Sequence, residues 1–372
     1  MTVVESPIPL VDLKAQQRTI GSEIAAAIER VEERQVFVNG PETAAFEAEF
    51  ADWCGAPHCV AVSSGTTGLE LTLQALGVGT GDEVISVSHT FFATVGAIVR
   101  CGATPVLVDV DPDSWTMAPD QVSAALTPRT KAIVPVHLYG NPADVPAIAE
   151  AAPGVAIIED AAQAHGATYR GQPLGSHSSA ACYSFYPGKT LGAHGDAGAV
   201  TTSDAGLAAR LRQLRDHGRA NGKYEHLAVG TNARMAELQA TVLRAKLPHL
   251  ADWIRARQRI AAAYEATIGV SGLPMQRVEP WAEHTRHLFA VLVSDRDATR
   301  SRLQQHGVAS GVHYPIPVHR QPVMAKVEHV VVGDLGITDY LASTCLSLPI
   351  YPELAELDMR RVLDLLLRRS RG

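Results

Sequence analysis

Long apolar runs are missing from this sequence: in 372 residues no stretch approaches the ~18 residues that a membrane-spanning helix needs. The first residues, Met1 to Leu10, carry two prolines, an acidic Glu5 and no lysine or arginine, which is not the pattern of a secretory leader. A cytoplasmic location is expected. A basic block is missing too, since 32 lysines and arginines are interspersed among 39 acids for a net charge of -7. That balance argues against nucleic acid as a partner. Cysteine is scarce. The five (Cys54, Cys59, Cys101, Cys182, Cys345) are scattered and form no Cys-x-x-Cys pair, as befits free thiols in a reducing compartment.

Several ligand motifs are absent as well. No Gly-Lys-Ser/Thr follows a glycine loop, so there is no nucleotide P-loop, and Gly77-Val-Gly-Thr-Gly81 leads into a strand rather than a dinucleotide-binding helix. The 15 histidines show no zinc-ligand spacing, and no metal is expected. Asp109-Val-Asp-Pro-Asp113 has the acid spacing of a calcium loop, but Ser114 and Asp120 stand where glycine and the closing glutamate belong. It reads as an acidic turn.

What is present is a globular mixture, 46% hydrophobic and 19% charged, long enough for one large and one smaller domain. Apolar, β-branched runs at 58–62, 83–87, 105–108, 132–136 and 155–159 predict buried strands, and helical spacing at 68–76, 94–101, 120–126 and 145–152 predicts helices between them. That alternation implies an α/β fold with a mostly parallel sheet covered by helices. A helical arm (20–33, then 41–53 with Pro41 in its first turn) precedes it, and helices over 205–216 and 233–266 follow, the latter interrupted by Pro248. The predicted division is a large domain over residues 1–250 and a small α/β domain over 251–372.

Ligands of such sheets sit at the carboxyl ends of the strands, and three segments there carry chemistry. Val60-Ala-Val-Ser-Ser-Gly-Thr-Thr-Gly68 runs from strand to helix, so free amides and the hydroxyls of Ser64 and Thr66 suit a phosphate; a plain helix cap is the other reading. Ile157-Ile-Glu-Asp-Ala-Ala-Gln-Ala-His-Gly166 ends an apolar strand in acids. Asp160 either keeps a cofactor's pyridine nitrogen protonated or caps a turn. His165 reads as a structural histidine. In Cys182-Tyr-Ser-Phe-Tyr-Pro-Gly-Lys-Thr-Leu-Gly-Ala-His-Gly-Asp-Ala-Gly198 a lysine stands among glycine, proline and aromatics. Apolar surroundings make an amine nucleophilic, so Lys189 is a candidate for a Schiff base with an aldehyde, the alternative being a solvated loop lysine.

Taken in order, Ser64-Gly-Thr66, Thr90-Phe91, Glu159-Asp-Ala-Ala-Gln-Ala-His-Gly166, Ser184-Phe-Tyr-Pro-Gly-Lys189 and Gly230-Thr-Asn-Ala-Arg-Met235 resemble the DegT/DnrJ/EryC1/StrS family of sugar aminotransferases. The resemblance runs from Pro9-Leu-Val-Asp-Leu-Lys14 to Leu346-Ser-Leu-Pro-Ile350. It implies a fold-type-I homodimer using pyridoxal 5'-phosphate, with Lys189 as the lysine bonded to the aldehyde and Asp160 as the partner of the ring nitrogen. It further places Gln163 by the 3-hydroxyl and Phe91 on the ring. Ser64, Gly65, Thr66 and Ser184 would hold the phosphate, and Asn232 would reach in from the second subunit. Arg219, Lys223 and Arg234 would meet the substrate's diphosphate, and the stretch His313-Tyr314 to His319 would line the sugar pocket. The implied reaction moves an amino group from glutamate to a nucleotide-linked keto-deoxyhexose, a dTDP-linked 3-keto sugar, in deoxyamino-sugar biosynthesis. Alternatives are a 4-keto-sugar aminotransferase, a sugar dehydratase (whose relatives carry histidine in place of the lysine) or a non-enzymatic regulator. Asp196, Ala197 and Ala233 depart from the commoner residues of the family's motifs.

Overall fold

The computed structural model describes residues 6–219, 222 and 224–368. Two helices come first, α1 (Leu13–Arg34) and α2 (Pro41–Trp53). Strands β1 (His58–Val62), β2 (Glu83–Val87), β3 (Thr104–Val108), β4 (Thr130–Val134) and β5 (Ala156–Asp160) then alternate with α3 (Gly65–Ala75), α4 (Ala93–Arg100), α5 (Pro119–Ala125) and α6 (Val145–Ala151). β6 (Ala180–Ser184) and β7 (Gly198–Thr202) complete the sheet's interior, in the order β1-β7-β6-β5-β4-β2-β3, with the pair Val330–Val331 at the β3 edge.

Neighbours from β6 through β3 are parallel, while β7 runs against both β1 and β6. The carboxyl ends of β1, β2, β5 and β6 therefore lie along one edge. The strands are apolar on both faces because helices cover both. One cluster joins Phe46 and Phe50 of α2 to Tyr183 and Phe185; another joins Leu69 and Leu73 of α3 to Val60, Val62 and Val200. α3 begins where it does because Ser64 and Thr67 form a reciprocal cap, Ser64 Oγ accepting from Thr67 N at 3.1 Å and Thr67 Oγ1 accepting from Ser64 N at 3.0 Å.

Beyond α7 (Ala205–Arg215) and α8 (Glu237–Lys246), Pro248 sits in a 3-10 turn that separates α8 from α9 (Leu250–Ser271). A separate apolar cluster forms around the antiparallel pair β8 (Phe289–Leu292) and β9 (Cys345–Leu348), with Tyr264 of α9, Leu303 of α10 (Arg296–Gln305) and Val362 of α12 (Glu356–Leu367). Ile8 also belongs to this cluster.

Two expectations shift. The fourth strand begins at Thr130, two residues before the apolar run; its end beyond Val134 survives only as an isolated bridge between Val136 and Asp160. The Val330–Val331 pair, from the region expected to form the small domain, joins the main sheet beside β3. The acidic turn is resolved by its hydrogen bonds. Asp109 accepts from Ile337 N and Thr338 N at the start of α11 (Gly336–Thr344), while Asp111 Oδ1 takes Asp113 N and Ser114 N.

Candidate active site

A cavity of about 610 Å³ opens at the carboxyl edge of the sheet. It is lined by Ser64, Gly65 and Thr66 at the start of α3, Phe91, Asp160 at the end of β5 with Gln163 beyond it, Ser184 at the end of β6, Lys189, and His313 with Tyr314. Residues scattered over 250 positions of sequence thus meet where strand ends, loops and a helix start converge.

The α3 end is a cradle. Gly198 begins β7 opposite Ser184 and Val62, and a β-carbon there would lie 2.4 Å from the backbone carbon of Ser64. Gly65 also lies close to Ser184, 2.8 Å between side-chain carbons if a β-carbon were added. Only glycine lets these three chain segments approach, and the approach leaves the first amides of α3 beside two serine hydroxyls and one threonine. Such a helix start favours a phosphate.

Asp160 closes β5 and is buried at 6% exposure. Its Oδ2 accepts from Thr94 Oγ1 at 2.7 Å and its Oδ1 from Ala162 N at 3.1 Å, so the carboxylate is aimed and held. Gln163 is pinned too. Its Oε1 accepts from Tyr139 N at 2.6 Å, which obliges Nε2 to donate, and it donates to Tyr314 Oη at 3.1 Å. Burial pushes the Tyr314 phenol up. The Phe91 ring is exposed over half its surface and lies 5.4 Å from the Tyr314 ring, centre to centre.

Lys189 is half-buried in the loop after β6, its backbone N donating to Tyr186 O at 2.8 Å. Burial lowers its amine to about 8, against a smaller opposing pull from Asp160. Three histidines surround it in a neutral state. His313 is lowered to about 4 by burial and by the Lys189 charge, with Nδ1 2.8 Å from Ser347 Oγ. His287 is pushed well down by burial, then by Lys189 and Arg257. His165, fully buried between the rings of Tyr183 and Phe185, falls to about 3 for the same two reasons, burial and Lys189.

Other expected site residues lie elsewhere. His319 is not in the cavity lining; it bonds Ser88 Oγ through Nδ1 at 2.7 Å and faces Asp339 through Nε2 at 3.4 Å. Arg219 and Arg234 converge on Asp216, at 3.4 and 3.1 Å, and Asn232 accepts from Arg234 Nε at 3.2 Å, away from this cavity. Lys223 lies outside the described residues. Sequence reasoning missed Thr94, buried one helical turn beyond Thr90, and His287, which lines the cavity beside Lys189. The only hint of Thr94 was a threonine four residues after Thr90 on a helical pattern; His287 carried none.

Comparison with known proteins gives the same frame. A model of the DegT/DnrJ/EryC1/StrS aminotransferase family matches residues 18–367. The chain is 48% identical to the erythromycin biosynthesis sensory transduction protein EryC1 of Saccharopolyspora erythraea, over 94% of this chain and 95% of that one. It is 46% identical to dTDP-3-amino-3,4,6-trideoxy-alpha-D-glucose transaminase of Streptomyces venezuelae, over 97% and 96%. The crystal structure of S. venezuelae DesV in complex with a ketimine intermediate superposes with a TM-score of 0.93 at 46% identity, covering 97% of this chain and 98% of that one.

Proposed function

The chain belongs to the DegT/DnrJ/EryC1/StrS aminotransferase family, and from that premise we propose that it transfers an amino group from glutamate to a dTDP-linked 3-keto-deoxyhexose, using pyridoxal 5'-phosphate. The observation that carries this reading is the meeting of Lys189, Asp160 and the start of α3 in one cavity.

The residues fit the cofactor. The cradle that Gly65 and Gly198 keep open suits its phosphate, with Ser64, Thr66 and Ser184 as further donors. The held carboxylate of Asp160 suits the ring nitrogen, Gln163 the 3-hydroxyl, and the open face of Phe91 the ring. When bound, the pyridinium supplies a sink for the electrons left when a carbon–hydrogen bond beside nitrogen breaks. Asp160 sustains that sink by keeping its negative charge aimed. Lys189 Nζ, with its proton affinity lowered, would take the proton from the donor's α-carbon and hold it for delivery to the other end of the C–N unit rather than back to that carbon, a shuttle typically worth ~10²–10⁴ in rate. With these histidines lowered, Lys189 is the only lysine or arginine among the described residues that line this cavity.

His313 and Tyr314 are the protein's sugar-facing groups in this reading, and Arg219, Lys223, Arg234 and Asn232 are contributed to a second subunit's cavity. The exposed apolar side chains Val36, Phe37, Val38, Leu227 and Val229 support a homodimer that covers them. The domain division near residue 250 is supported by the separate apolar cluster around β8 and β9. A dehydratase reading is disfavoured by lysine at position 189, and a purely regulatory one gives no reason for Lys189 and Asp160 to line the same cavity.

The test is a panel of dTDP-linked 3-keto and 4-keto deoxyhexoses with glutamate and the cofactor. The reading expects 2-oxoglutarate and an amino sugar from the 3-keto member. Product from the 4-keto sugar alone, or water loss without 2-oxoglutarate, would reject it.

A further inference from the structure

The loop that carries Lys189 is gripped from outside by a second lysine. Lys246, the last residue of α8, is 3% exposed, and its Nζ donates to Gly192 O at 2.7 Å. Burial lowers its amine to about 8, with no carboxylate acting against it. Burying an ammonium without a carboxylate is unfavourable, and an apolar side chain would fill such a place more readily. What the lysine brings instead is a charged donor on one backbone carbonyl, three residues beyond Lys189.

That carbonyl belongs to the peptide unit joining Gly192 to Ala193, and the other polar end of the unit is held as well. Ala193 N donates to Phe185 O at 2.8 Å. In a trans peptide the C=O and N–H point opposite ways, so the unit is clasped between the chain leaving β6 and the end of α8. The loop also closes on itself. Lys189 N donates to Tyr186 O at 2.8 Å, and a β-carbon added to Gly192 would stand 2.4 Å from Pro187 O and 3.0 Å from Pro187 Cα. Lys189 lies between those two touching points, Pro187 and Gly192. A tilt of the 192–193 unit therefore passes into the segment that bears the amine. Leu191 and Ala193 of the loop share one apolar cluster with Leu243 and Leu247, which flank Lys246 along the chain, so the helix has a fixed seat from which to hold the carbonyl.

We propose that Lys246 is a positioning residue for Lys189: by holding Gly192 O it fixes the loop, and with it the place of the Lys189 amine in the main cavity. Bond formation at a carbonyl depends steeply on such placement, and a shift of about 1 Å can slow it roughly 10²-fold. The proposal rests on the reading of Lys189 as the amine that meets the cofactor.

Lys246→Met keeps the length of the side chain and removes the donor. The first measurement is hydrogen exchange in the cofactor-free, full-length protein. Amides between Tyr186 and Ala193 are expected to exchange about tenfold faster in the variant, the change one lost hydrogen bond can make, while those of α3 and β5 keep parental rates. The second is the rate at which saturating pyridoxal 5'-phosphate bonds to Lys189, followed by absorbance and located by borohydride trapping and peptide mass. That rate is expected to fall by about tenfold or more. Parental exchange in the loop overturns the proposal, and so does faster exchange spread over the whole chain. A looser loop with a parental bonding rate overturns it too, because Lys246 would then brace the loop without placing the amine. Should Lys246→Met not fold, Lys246→Leu carries the same readouts. The loop exchange needs neither cofactor nor substrate, so it stands apart from the aminotransferase reading, which fails separately if Lys189→Ala retains turnover.

Discussion

Thr94 Oγ1 donates to Asp160 Oδ2 across 2.7 Å, joining the first turn of α4 to the carboxyl end of β5. Thr94 is 1% exposed, so no solvent replaces that bond if the hydroxyl is lost. Thr94→Val, close in shape, leaves one oxygen of a buried carboxylate unpaired at a cost of about 1–3 kcal/mol. We predict a kcat lower by roughly tenfold with little change in KM for glutamate, checked by steady-state kinetics at saturating cofactor. A wild-type kcat would mean that Asp160 is held well enough by Ala162 N alone.

Gly198 presents a different vulnerability. Its added β-carbon would meet the Ser64 backbone at 2.4 Å, where no side chain can swing aside. Gly198→Ala should therefore force β7 and the start of α3 apart, at about 1–3 kcal/mol. Thermal melting should show the loss, and cofactor affinity should fall with it, since the same backbone forms the phosphate cradle. An Ala variant with parental melting and affinity would contradict the close approach.

Tyr314 and Gln163 form a coupled pair, the phenol accepting the amide N–H. Tyr314→Phe frees Gln163 Nε2, and Gln163→Ala frees the phenol. Each single change should weaken sugar or cofactor binding, and a double-mutant cycle on cofactor affinity should give a coupling of about 0.5–1.5 kcal/mol. Simple additivity would show that the bond contributes nothing to the site.

The pH dependence of stability follows from Lys189. Its amine is lowered from 10.5 to about 8 in the folded protein, by burial. Below about 8 both folded and unfolded chains carry the proton and the penalty of burying the charge is fully present. Between about 8 and 10.5 the unfolded chain binds more protons, so stability rises with pH over that window. Lys246, also lowered to about 8 by burial, contributes with the same sign. Comparing the cofactor-free parent with Lys189→Met separates the two. The variant should melt higher near neutral pH, with the gap narrowing toward about pH 10. A gap independent of pH would place the amine in water.

Much of the fold was legible because its signals are local. The β1, β2 and α2 ranges coincide with their apolar runs and with Pro41, and the chemistry of Asp160 and Lys189 could be argued from unusual company: an acid ending an apolar strand, a cation among glycine and aromatics. What stayed hidden depends on contacts distant in sequence. Thr94 matters only because β5 ends beside α4, and His287 only because Arg257 holds its carbonyl at the cavity wall. The Val330–Val331 pair is too short and too exposed to carry an alternation that would assign it to the main sheet. His319 was grouped with His313 by proximity along the chain, yet its ring bonds Ser88 instead of facing the cavity.

The most direct test asks which amine takes the cofactor. Full-length protein incubated with pyridoxal 5'-phosphate, reduced with borohydride and digested should yield a single labelled peptide, modified at Lys189. The Lys189→Ala protein should give none and should lack turnover. A label on Lys246 or on a surface lysine, or an active Lys189→Ala enzyme, would contradict the account.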